Sequence, residues 1–118
     1  MKTSFLAILF VFFCFFLNSC KKDAVCACGV NNPAKKLPWL AELIEKAKTD
    51  ETGNYLGSIW LENYKGQDIF VTDMALGSGG IAYWFFDCNG NHHVFVDKDD
   101  FLSFYSTMKL DVVIYSLF

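Results

Sequence analysis

Residues 55–75 read YLGSIWLENYKGQDIFVTDMA, and this stretch decides the fold. Residues 55–63 are rich in β-branched and aromatic side chains, which suit a pleated, half-buried surface. Lys65-Gly66-Gln67 turns the chain. In residues 68–75, Ile69 and Val71 alternate with Asp68 and Thr72, the period of a strand with one buried face. A short turn between two such runs joins antiparallel neighbours.

Working outward, the same pattern continues toward the C-terminus. Gly77-Ser78-Gly79-Gly80 is a flexible connection. Residues 81–88 (IAYWFFDC) are apolar on both faces, as in a central strand. Asn89-Gly90 is a hairpin signal, because a two-residue turn needs positive φ at both centres. Residues 92–96 (HHVFV) read as the returning strand. The acids Asp97, Asp99 and Asp100 then precede an apolar periodic run. They suit a helix start, where a carboxylate caps free N–H groups and meets the positive end of the dipole. Phe101, Leu102, Tyr105 and Met108 are expected to share that helix's buried face. Residues 110–118 (LDVVIYSLF) read as a last strand.

Toward the N-terminus, Pro38 suits a first helical position, where its missing N–H costs nothing. Trp39, Leu40, Leu43, Ile44 and Ala47 share one helical face, and Glu42 precedes Lys46 by one turn. This helix should end near Lys48. The order is α-β-β-β-β-α-β. The expected fold is α+β: an antiparallel sheet of about five strands with two helices packed on one face. Residues 37–118 suffice for one such domain.

Residues 5–17 (FLAILFVFFCFFL) form an uncharged run with Lys2 before it, and they hold six of the 13 Phe. A basic start, a short apolar run and a small residue at the cut describe a secretory signal peptide over residues 1–19. The run is short for a span, which needs about 20 apolar residues. The stretch Leu17-Asn18-Ser19-Cys20 resembles a bacterial lipobox. That resemblance implies cleavage before Cys20, lipidation of Cys20, and a lipidated tether over residues 20–36. It also implies a bacterial envelope location, with the outer membrane favoured because the residues after Cys20 lack the inner-membrane retention signal. Several acyl chains anchor stably where one does so only marginally. Without the signal, the hydrophobic share falls from 53% to about half, ordinary for a soluble domain. A net charge of −3, with ten Lys and no Arg, excludes a basic nucleic-acid footprint.

Five cysteines occur in the chain. Cys14 falls in the signal and Cys20 carries the lipid. Cys26, Cys28 and Cys88 remain, which allows one disulfide and one spare thiol. Either Cys26 or Cys28 is expected to pair with Cys88 and so tie the leader to the sheet.

The segments LPWLAELIEKAK, GSIWLENYKGQDIFV and YWFFDCNGN together resemble a group of small lipoproteins from Bacteroidota-type Gram-negative bacteria. The matching positions are Leu37 to Leu40, Tyr64 to Gly66 and Asp87 to Gly90. The resemblance implies location and fold. It carries no established activity.

For chemistry, His92 and His93 are adjacent, so a strand would point them to opposite faces and away from a shared metal. Asp87, Asn89 and Asn91 lack the Gly and Glu placement of a calcium loop and read as a turn. No Ser or Cys nucleophile with an orienting base can be argued. The expectation is therefore a non-enzymatic module without cofactor or metal, held at the membrane by Cys20. Its partner is expected to be a protein, met on an uncovered sheet face through Trp60, Tyr83 and Trp84. Two alternatives are a protease-inhibitor-like module using the Leu76–Gly80 loop, and glycan binding through exposed aromatics.

Overall fold

The hairpin read from residues 55–75 forms the centre of the sheet. In the computed structural model, which describes residues 25–77 and 82–117, strands Ser58–Tyr64 and Gln67–Thr72 pair antiparallel from Tyr64↔Gln67 to Ile59↔Thr72. Lys65 and Gly66 form a two-residue loop with φ of 51° and 78°. Both centres are positive, as a turn matched to strand twist requires.

Six strands and three helices are described. In chain order they are β1 (Cys26–Ala27), β2 (Val30–Asn31), α1 (Pro33–Lys36), α2 (Pro38–Thr49), β3 (Ser58–Tyr64) and β4 (Gln67–Thr72). β5 (Trp84–Phe86), α3 (Lys98–Thr107) and β6 (Val112–Ser116) complete them. The main sheet is antiparallel with order β5-β4-β3-β6, and β1-β2 is a separate small hairpin. The fold is α+β.

β4 shows how the core is built. Its residues alternate, and the sheet is buried on both sides. Phe70 joins Leu40, Ile44 and Ala47 of α2, together with Ile59 and Met74. Ile69 and Val71 join Phe104 of α3 on the opposite face. Burial on both faces explains the near-continuous apolar run Ile69-Phe70-Val71, each at most 1% exposed.

Several expectations change. The two helices cover opposite faces, so neither face is open along β4. The main sheet has four strands, because residues 92–96 form only the bridge Phe86↔His92 and the bond from His93 N–H to Phe85 C=O. On α3, the buried residue is Phe104, whereas Leu102 and Tyr105 are exposed. Spacings 101-104-108 and 101-105-108 both satisfy a helical period, and only the packed sheet chooses between them.

Residues 25–36 are also part of the folded body rather than a free tether. Cys28 and Gly29 close the β1-β2 hairpin with φ of 56° and 75°. Ala27 is 2% exposed and Pro33 is buried. The expected signal peptide over residues 1–19, with Cys14, and also Cys20, the connection over residues 78–81 and Phe118 lie outside the described residues. Among the described residues, no helix is long and apolar enough to cross a membrane.

Candidate functional site

The disulfide pairing is settled between its alternatives: Cys28 bonds Cys88. Asp68 prepares this junction by accepting the Cys28 N–H at 2.8 Å. Cys26 is not a spare thiol. It is also disulfide-bonded. Cys28, Cys88 and the Asp68 carboxylate place potential metal-ligand atoms within 4.8 Å of one another. The two sulfurs are bonded to each other, so they present no thiolate to a metal.

The turn after β5 is held by its own side chains. The Asp87 Oδ1 accepts N–H groups from Asn89 and Asn91 at 2.8 and 3.0 Å. Trp39 then reaches across from α2, and its indole N–H donates to the Cys88 carbonyl at 2.8 Å. Gly90 lies directly against that ring: a Cβ built on it would come within 2.6 Å of Trp39. The Leu37–Leu40 and Asp87–Gly90 motifs are thus two halves of one junction.

Beside this junction opens a cleft of about 530 Å³ between α2 and β5. Its walls include Trp39, Trp84, Phe86, His92 and Tyr55, with Glu42 and Lys46 at one side. The rings form a contiguous strip. Trp39 lies 5.7 Å from Phe86, Phe86 stacks on His92 at 5.0 Å, and His92 lies 5.6 Å from Trp84. Glu42 and Lys46 are exposed and 3.6 Å apart, one helical turn from each other. The Trp84 indole nitrogen is shielded from solvent and has no acceptor among the described residues.

The three aromatics expected to share one surface do not. Trp60 and Tyr83 pack edge-on at 6.3 Å in the cluster beneath α3. Trp84 pairs with Thr72, so it faces the α2 side with Phe86. Of the 14 described Phe, Trp and Tyr residues, only Tyr105 is exposed. His92 faces the cleft, while His93 packs against Phe95 at 4.7 Å. Asp97 caps α3 by accepting the Asp100 N–H.

Asp100 gathers three donors from separate parts of the chain. It accepts from the Val96 N–H, the Tyr64 hydroxyl and the Lys65 ammonium. The Val96 N–H, followed by Tyr64, holds its carboxyl below the ordinary carboxylate value. The same contact holds Lys65 above the ordinary lysine value. These groups fasten α3 to the β3-β4 turn and lie away from the cleft.

Sequence reasoning missed the cleft because its walls come from α2, β5 and the chain around Tyr55. Trp39 and Leu43 were visible on one apolar helical face, with Glu42 and Lys46 read as a pair on the other side. That this face meets Trp84 was not. No family model, curated protein or solved structure matches this chain.

Proposed function

We propose that this chain is a lipid-anchored, non-enzymatic binding module of the bacterial cell envelope, and that its binding site is the cleft between α2 and β5. The observation that carries the binding part is the contiguous aromatic strip of Trp39, Phe86, His92 and Trp84 beside a half-open space. The volume lies within the roughly 300–1,000 Å³ common for ligand pockets, and so does the mix of aromatic walls with a few polar groups. A flat protein interface needs about 800 Å² from each partner. The open sheet face that would have supplied it is covered by α3. The reading therefore moves from a broad protein surface to a small ligand or a single inserted residue.

The protease-inhibitor alternative gains no support from the described part of its loop. Leu76 is half-buried and packs against the core beneath α2.

The anchor rests on the lipobox resemblance around Cys20 and the outer-membrane preference on the residues after it. Metabolic labelling with a clickable palmitate tests it. The wild-type protein should carry label and fractionate with membranes, whereas Cys20→Ser should lose both. A Cys20 sulfur in thioether linkage to lipid cannot also pair with Cys26. Peptide mass spectrometry showing Cys20 disulfide-bonded to Cys26 in the mature protein would overturn the anchor.

A further inference from the structure

We infer that the cleft takes a neutral sugar ring, one unit of an oligosaccharide, stacked on the aromatic strip. This deepens the binding reading above and rests on it. The chemistry of the walls argues for this class. A pyranose presents a flat face of C–H groups and a rim of hydroxyls. The face loses little by leaving water for an aromatic surface, and the rim needs donors and acceptors.

The cleft provides both. Phe86 and His92 stack on each other with 28° between their planes, and Trp39 and Trp84 flank them at tilts of 40° and 48°, so several ring surfaces line one wall. Glu42 supplies a carboxylate acceptor, Lys46 an ammonium donor and Tyr55 a hydroxyl along the lining.

Charge narrows the class further. Glu42 and Lys46 lie 3.6 Å apart, so their fields largely cancel at the mouth. A cationic ligand drawn to Glu42 meets Lys46, and an anionic ligand meets the reverse. A purely aliphatic ligand would bury the same rings but leave both ions partly desolvated without hydrogen bonds, which costs affinity. A neutral polyhydroxylated ring uses the aromatic walls and both charged groups together.

The test is a tryptophan-fluorescence titration of the detergent-solubilised full-length protein with maltotriose, cellotriose and the trimer of N-acetylglucosamine. Tetramethylammonium serves as the cationic comparison. Saturable quenching by at least one sugar is expected. Glu42→Ala and Lys46→Ala, both at exposed positions, should each weaken it by about tenfold. Trp84→Ala should abolish it, and Tyr105→Ala, exposed on α3, should leave it unchanged.

No saturable response to any sugar from a protein with an intact thermal transition overturns the ligand class. Response to tetramethylammonium alone does the same. Sugar binding that survives Glu42→Ala, Lys46→Ala and Trp84→Ala overturns the cleft as its site. None of these results bears on palmitate labelling at Cys20, so failure here and failure of the anchor are separately visible.

Discussion

Gly90 shows how one position can serve a whole motif. Its φ is +85°, and the Trp39 ring occupies the space a side chain would need. Gly90→Ala should therefore cost about 2 kcal/mol or more, read from urea unfolding, through strain at positive φ and displacement of Trp39. Trp84 makes the opposite case. Its indole N–H is buried and has no acceptor among the described residues, and such a donor costs about 1–3 kcal/mol. Trp84→Phe should leave stability within about 1 kcal/mol of wild type, because the lost donor offsets the lost area. Trp84→Ala should cost about 2 kcal/mol or more. Asp100 gives a pH dependence. Its folded-state pKa is depressed below the ordinary 3.8, so its contribution is present above that value and lost as pH falls through the lower folded value. Thermal melts from neutral pH down to about 2 should show a shallower acid limb for Asp100→Asn than for the wild type. An unchanged limb would mean that the Val96 and Tyr64 contacts carry no net preference for the carboxylate.

The two long helices differ in how readable they were. α2 announces itself through Pro38 and through one apolar face, and the observed span ends one residue beyond Lys48. α3 has the expected Asp97 cap, yet its buried face centres on Phe104. Its exit is held by Glu62, a carboxylate only 9% exposed that accepts the Lys109 and Leu110 N–H groups at 2.8 and 2.7 Å. Leu110 has φ of 54°, so this turn needs an external partner to hold it. Glu62→Ala should lower stability by about 2–3 kcal/mol in chemical denaturation, since two backbone donors lose a charged acceptor. In sequence Glu62 sits within a strand reading YLGSIWLEN, where an acid would be assigned to solvent. Its burial follows from α3 returning over that face, a long-range event that no local pattern encodes.

Across the whole molecule, two helices on opposite faces shield a four-stranded sheet, and one disulfide binds the N-terminal hairpin to the turn after β5. Cys28 and Cys88 are 60 residues apart, so the cross-link removes much freedom from the unfolded chain. By loop-closure entropy, losing it should cost about 4 kcal/mol. Replacing both cysteines by serine should lower the urea midpoint accordingly. A double variant within about 1 kcal/mol of wild type would show that Trp39, Asp68 and Gly90 hold the junction unaided. The same junction flanks the cleft, so the variant's sugar titration would report whether the disulfide also shapes the site.

The sequence by itself determined the α+β class, the β3-β4 hairpin, helix α2, the capped start of α3 and the two possible partners of Cys88. Each of these is local, written in a period, a turn or a cap within a few residues. Only the tertiary structure decided that the helices lie on opposite faces, that Cys28 rather than Cys26 pairs with Cys88, and that Trp84 faces away from Trp60 and Tyr83. Those outcomes depend on which distant surfaces meet. An apolar run such as Ile69-Phe70-Val71 says that both faces are buried, but not which helix covers each. The half-buried aromatics around Trp84 gain their meaning in the same way. Along the chain they are core material, and beside α2 they become the wall of a cleft.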